Sequence, residues 1–347
     1  MAKAHPPVTV ADHLRSRMRL AGALSHVLLA PADPAPVSCP LPSGPRLVSF
    51  WPRVEVIDEQ SAAVGEDTDL PWTPAGRLLA ELHRAGAREL SGTTGRRPEP
   101  LPAEGTPQRL ASAIGAMIAA VRSSTDPRAA AHATAHATVL AAAAAAVGGD
   151  YTAWSEAGPH TLVHGDFHLG QLGRLADPPS DDPMSGWRLI DLDDLGTGRA
   201  ATDLGRPAGF WAAGLLSDTA WTTFLDGYRN WSSATPWISE SPCRTTSSDG
   251  ALDDVPDGAV VGGAPDGASD SDAPAGDPWP VLEVGARLAV VVAGSRVIRS
   301  LAAGHEPEAD GQALLEVCGR LPTTAREPGP VANPVPEPGA AGTRHRT

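Results

Sequence analysis

Apolar residues fall at helical spacing over residues 12–24 (DHLRSRMRLAGAL), with Leu14, Met18 and Leu20–Ala21 on one side and arginines on the other. A Pro-rich stretch, 31–45, interrupts the pattern. RLVSFW, 46–51, then reads as a strand stopped by Pro52. Thr73-Pro74 opens the next helix, with Thr as N-cap and Pro at the first helical position. In it Leu78, Leu79 and Leu82 point inward, and Gly86 is expected to end it. Residues 107–122 repeat the pattern, with Leu110, Ile114, Ile118 and Val121 on one face. Residues 126–147 open on Asp126-Pro127, run through polyalanine and are expected to stop at Gly148-Gly149. Helix propensity there is high, but the face is made of small residues, so it has to pack closely against a neighbour.

Three short apolar runs follow: TLV (161–163), LGRL (172–175) and WRLI (187–190), the last two separated by the turn-rich ADPPSDDPMSG. Residues 202–230 read as helical, ending FLDGYRN, and helical periodicity returns over 279–320. Between them residues 239–278 are rich in Gly, Asp, Ser and Pro and carry P-D-G twice, the composition of a disordered linker. The tail from Pro322 is Pro/Gly-rich and is expected to be unstructured; no solenoid-type repeat is present.

Composition changes this picture in a few places. The net charge of −14 is largely local: residues 239–278 hold nine acids against Arg244. No basic stripe points to nucleic acid. The single lysine, Lys3, stands against 26 arginines, a skew that matches GC-rich coding more than any function. Cys39, Cys243 and Cys318 are widely spaced with no C-x-x-C, which fits a reducing cytosol. The longest apolar stretches, LAAAAAAV (140–147) and LAVVVAG (288–294), are too short to span a bilayer, and the amino end has no apolar signal core. A soluble, cytoplasmic protein without a membrane partner is expected. No pattern in the chain specifies an oligomeric state.

Chemistry concentrates in LVHGDFHLGQLGRL (162–175) and WRLIDLDDLGTG (187–198), two polar motifs at the ends of apolar runs. Transfer of a phosphoryl group from a nucleotide needs a carboxylate beside the acceptor hydroxyl and oxygen ligands that hold Mg²⁺ against the phosphates. Asp166, the amide of Gln171 five residues on, and Asp191 past the next strand have that arrangement, and Mg²⁺ favours such donors. The alternative for HGD is a plain strand-end turn with a satisfied histidine. A G-D-x-H metallophosphoesterase reading needs further His ligands, yet after His168 only His305 and His345 remain. His132 and His136 lie four apart with no carboxylate between, more suited to an exposed helix face than to zinc.

HGDFHLGQ and IDLDD resemble the catalytic loop and metal-binding Asp of the aminoglycoside phosphotransferase/choline kinase-like family. The Gln at 171, in place of the commoner Asn, looks most like its maltokinase branch, a slight tilt towards a sugar acceptor. Residues 46–54 resemble that family's last N-lobe strand and hinge, and 73–86 its first C-lobe helix. The resemblance implies an α+β, protein-kinase-like two-lobed fold with a truncated N-lobe and a mainly helical C-lobe. The implied organisation is a partial N-lobe and hinge in 1–53 and a C-lobe in 54–237. A disordered acidic linker (238–278), C-terminal C-lobe helices (279–321) and a disordered tail (322–347) complete it. ATP and Mg²⁺ are implied as cofactors and a small-molecule hydroxyl acceptor (aminoglycoside, sugar or amino alcohol) as partner. Asp166 would be the catalytic base, His164 and Asp203 would brace its loop, and Gln171, Asp191 and Asp193 would bind metal. Phe50, Trp51 and Arg53 would form the hinge that meets the nucleotide.

The family's glycine-rich hairpin is missing ahead of the first helix, and Lys3 is placed close to where its strand lysine would stand. The matching helix position is Arg17 or Ser16 instead of Glu. A start codon assigned too late, a truncated gene, or a degenerate kinase that serves as a binding module all fit these departures.

Overall fold

The computed structural model describes residues 1–42, 44–57, 70–90, 101–182, 184–231 and 278–324. The acidic segment and the tail lie outside the described residues, apart from Pro278 and residues 322–324. At the amino end, β1 (Ala2–Ala4), β2 (Val37–Leu41) and β3 (Gly44–Phe50) form an antiparallel sheet in the order β1-β3-β2. Its register sets Lys3 opposite Ser49 and Val37 opposite Val48. Between β1 and β2 runs α1 (Ala11–Ala23), which buries Leu14, Met18 and Ala21, the stripe its apolar spacing predicts.

β4 (Val54–Val56) leaves this sheet and pairs with β6 (Leu172–Leu175), which pairs in turn with β7 (Trp187–Leu189). β5 (Thr161–Val163) pairs with β8 (Gly196–Gly198). The amino-terminal region is also tied to β7 through the backbone: Leu29 N donates to Leu189 O and Leu189 N to Val27 O, both at 2.9 Å.

The remaining described elements are helices: α2 (Trp72–Leu90), α3 (Thr106–Ser123), α4 (Pro127–Glu156), α5 (Ala201–Ala212), α6 (Asp218–Trp231), α7 (Trp279–Ala302) and α8 (Ala309–Arg320). One core cluster joins α2 and α6 to the short strands through Leu79, Leu82, Leu162, Leu172, Leu189 and Phe224. Trp221 is buried here, and the half-buried Trp211 stacks on it with centroids 5.6 Å apart. The second cluster joins α3, α4, α7 and α8 through Met117, Leu140, Val291, Ile298 and Leu315. Helix α7 reaches the first cluster as well, because Gly205 of α5 and Gly285 of α7 let the two backbones touch; a Cβ on Gly205 would lie 2.5 Å from the Gly285 carbonyl carbon.

Three expected boundaries move. Gly86 does not end α2, which continues to Leu90; the glycine is there because a Cβ would sit 2.2 Å from the Leu162 nitrogen of β5. Helix α4 does not stop at Gly148-Gly149 but runs to Glu156. Each glycine costs about 1 kcal/mol relative to Ala, which the packing of this helix outweighs. The 202–230 run is split at Gly214, whose φ of +73° ends α5 before α6 begins. By length and composition alone α4 is long and apolar enough to cross a membrane. In this fold Ala133, Ala137, Leu140 and Val147 on it are buried in the second core cluster. Its His132 is exposed and His136 half-buried, their rings 5.2 Å apart.

Candidate active site

The loops after β5 and β7 are stitched into one surface. Leu172 pairs with Leu189, Ile190 N donates to Gln171 O at 2.9 Å, and His164 Nε2 lies 2.7 Å from Ile190 O. The His164 ring is fully buried, edge-on to Phe167. Beneath the first loop Asp203 of α5, 1% exposed, accepts from His164 N at 2.7 Å and Gly165 N at 2.8 Å. His83 Nε2 stands 3.0 Å from the same carboxylate, and its Nδ1 is 2.8 Å from the Tyr228 hydroxyl. Burial pushes Asp203 up, but the bonds and charge of His83 and His164 outweigh it and hold the carboxyl below its ordinary value. Gly165 takes φ +83°, and a side chain there would run into the Asp194 carbonyl, 2.5 Å from the Cβ.

Asp166 is gripped from α3. Arg109 donates through Nη1 to Asp166 Oδ1 at 2.6 Å, through Nε to Asp194 Oδ2 at 3.1 Å, and through Nη2 to the Gly165 carbonyl. One guanidinium therefore spans both loops. Arg206 of α5 adds a second positive charge, its Nη1 3.8 Å from Asp166 Oδ1.

Lys3 organises the other side. Its ammonium donates to Asp191 at 2.5 Å and lies 2.9 Å from Asp193, while His5 Nδ1 is 3.2 Å from Asp193. Burial works against charge on Asp193, yet the His5 bond and the Lys3 charge bring its pKa down to about 2. Lys3 answers in kind: burial lowers it, and the two carboxylates more than reverse this, raising it above its ordinary value. Asp191 holds φ +57°, the left-handed conformation that non-glycine residues rarely adopt. Gln171 is buried, with its amide nitrogen 3.2 Å from His168 Nε2, so its oxygen is the atom it offers a cation. Gln171, Asp191 and Asp193 thus bring oxygen donors to one wall, while among the described residues no group of three or more His, Cys, Asp or Glu is placed to hold a metal ion.

These groups line a cavity of about 420 Å³ between the amino-terminal sheet, α1 and the two loops, with Lys3, Trp51, Gln171, Asp191 and Asp193 in its wall. Of the three hinge candidates Trp51 lines it; Phe50 and Arg53 do not, and both are exposed because each stands at the edge where the chain leaves β3. Arg17 donates from α1 to the Leu195 carbonyl at 2.7 Å, so the acidic partners of Lys3 come from the loop after β7 and not from α1. Asp166 belongs to a second, narrower cleft of about 40 Å³, walled by Arg109, Arg206 and Arg296 together with Leu288 and Val292 of α7. Among the described residues the two clefts share no wall residue.

The profile of the phosphotransferase enzyme family (APH) matches residues 3–238. The chain belongs to that family. The match begins at Lys3 and takes in both loops, and the family's α+β, protein-kinase-like fold is the one described above. Among curated proteins none matches the chain. Solved structures of similar shape include an ethanolamine kinase from Plasmodium vivax (9% identity, TM-score 0.48, 91% of this chain and 74% of that one). A choline kinase from Cryptosporidium parvum is alike at 10% identity and TM-score 0.47, over 91% of this chain and 77% of that one. A spectinomycin phosphotransferase in complex with ADP and spectinomycin aligns at 11% identity and TM-score 0.45, over 93% of this chain and 82% of that one.

Sequence reasoning missed Arg109, Arg206, His83 and His5. Arg109 did leave a trace: it is a cation in the first turn of α3, a turn with no acid, where the helix dipole disfavours positive charge. The other three carry no local signal, since each reaches its partner from a distant part of the sequence.

Proposed function

We propose that this family member transfers the γ-phosphoryl group of ATP to a hydroxyl on a small molecule. The observation that carries the reading is the joining of the HGD and IDLDD loops, through Ile190–Gln171 and His164–Ile190, into one surface with a cleft on either side. The 420 Å³ cavity is the nucleotide side, and the cleft at Asp166 is the acceptor side. Residues 1–53 then form the nucleotide lobe and hinge, and 54–237 with 279–321 the larger lobe. Such an enzyme works where ATP is supplied, which is the cytoplasm.

Lys3 carries positive charge to the phosphates, and Trp51 offers the base an apolar wall. Gln171, Asp191 and Asp193 would hold Mg²⁺, which when bound neutralises the charge that builds on the phosphates. Asp166 orients the acceptor hydroxyl and takes its proton. As the acceptor oxygen bonds to the γ-phosphorus, the bond from that phosphorus to the β–γ bridging oxygen breaks, and ADP leaves with the electron pair. Arg109 keeps the Asp166 carboxylate aimed and locks its loop to Asp194. Asp203 and His164 hold the loop from below.

Titration of the whole chain with MgATP by calorimetry tests this, with Asp191→Ala as the control. Saturable binding that disappears in the variant is the expected result. A folded chain that binds no MgATP removes the enzymatic reading and leaves a binding module built on a kinase-like scaffold.

A further inference from the structure

The cleft at Asp166 has the wrong charge for an amine. A cationic acceptor is recognised by spare carboxylates or by an open cage of aromatic faces. Asp166 is the one acid in the wall among the described residues, and Arg109 and Arg206 already stand against it. Other acids beside wall residues are committed elsewhere, Asp203 to His164 N, Gly165 N and His83 among them. Asp194 accepts from Arg109, and Asp150 pairs with Arg287 at 2.6 Å. Glu104, 5% exposed, accepts from Thr106 N at 2.6 Å and from the Tyr151 hydroxyl at 2.5 Å. The aromatic rings in the wall, Tyr151 and Phe167, are themselves buried, so neither presents an open face.

Positive charge is what this cleft has to spare, in a chain whose net charge is −14. Of its three guanidiniums, Arg296 stands exposed at the α7 side and makes no ion pair or hydrogen bond among the described residues. Arg206 faces the cleft from α5, stacked 5.3 Å from the Phe210 ring. Guanidinium groups bind carboxylate and phosphate oxygens in a planar fork, which fixes the orientation of a small ligand as well as its charge.

We propose that the acceptor is a small hydroxylated anion, its carboxylate or phosphate group held by Arg296 and Arg206 and its hydroxyl presented to Asp166. This rests on the phosphotransfer reading for the role of the hydroxyl; the anion site itself stands on the geometry alone. It departs from the amino alcohol, aminoglycoside and sugar acceptors that the sequence resemblance implies.

The test is a calorimetric panel on the whole chain, run with and without a non-hydrolysable MgATP analogue. Glycerate, glycerol 3-phosphate, neutral glycerol, ethanolamine and choline are the probes, and phosphorus NMR with MgATP follows transfer. The expected result is that at least one anion binds about tenfold or more tightly than glycerol or ethanolamine, a difference of one charge-assisted contact. Which of the two anions wins separates a carboxylate from a phosphate ester. Arg296→Glu should cost that anion at least about tenfold while the far-ultraviolet spectrum stays unchanged, and Arg296→Lys should recover part of it. Amine binding equal to or tighter than anion binding overturns the proposal, as does anion affinity indifferent to Arg296→Glu. Absence of any anion binding at concentrations on the order of 10 mM overturns it too. Anion binding in a chain that binds no MgATP keeps the site and removes phosphotransfer; MgATP binding with a preference for amines does the reverse.

Discussion

The two clefts beside the joined loops are built from opposite materials. The cleft proposed for the nucleotide is wide, about 420 Å³, and its wall carries two carboxylates and an amide with Lys3 and Arg17. The cleft proposed for the acceptor is about 40 Å³, and its wall carries three arginines and one carboxylate. The first comes from short strands, loops and one face of α1; the second comes from the loop after β5 and from the ends and faces of α3, α5 and α7. In the proposed reading, negative side chains collect where a cation and a polyanion would meet, and positive ones where the second reactant would enter. The separation has a mechanical basis as well, since Asp203 anchors the loop that divides the two sides.

The comparison breaks first at Asp166. Asp166→Asn should lower turnover about a thousandfold, the size of a lost general base, with MgATP affinity within about twofold of the parent. A parallel loss of nucleotide binding in calorimetry would show that the two sides are not independent. Asp203→Ala strands two buried N–H donors and His83, so it should cost about 3 kcal/mol in urea denaturation and weaken binding on both sides together. Asp203→Asn, which keeps one acceptor oxygen, should cost less. Loss confined to one cleft would mean that the loop is held by something else.

Lys3→Met should weaken MgATP by about tenfold, one charge-assisted contact, and leave ligands of the Asp166 cleft unaffected. The smallest effect expected is in acid. Asp193 is pushed up by burial but taken down to about 2 by His5 and Lys3, below its unfolded value. Its stabilisation is therefore complete above about pH 4 and drains away as pH falls towards 2. Over that interval Asp193→Asn should lose less melting temperature than the parent chain. The difference should be modest, because the Asp193 side chain is 38% exposed and water screens its pairs. Identical slopes would remove Asp193 from the Lys3 network.

Local chemistry made much of this legible in advance. The strands at 46–51, 161–163 and 172–175, the helix faces of α1 and α3, and the Asp126 cap, whose side chain accepts from Arg128 N at 2.8 Å, all follow from residues within a few positions of one another. Glycine misled wherever its reason lay elsewhere in the fold. Gly86 reads as a stop signal in sequence, yet it is the point where β5 crosses α2.

The sequence by itself determined the donor types at Asp166, Gln171 and Asp191 and their spacing along the chain, because these are properties of residue order; two loops carry them, and the fold puts Asp166 in one cleft and Gln171 and Asp191 in the other. It also determined the helical majority, through apolar periodicity. Tertiary structure decided what those groups face. Arg109 meets Asp166 across 57 residues, His83 meets Asp203 across 120, and Lys3 meets Asp191 across 188. No local pattern encodes such pairings, since they exist only after helices and strands have buried their apolar faces and brought distant polar ends together. The charge of each cleft, and with it the kind of molecule each will admit, is set by that packing.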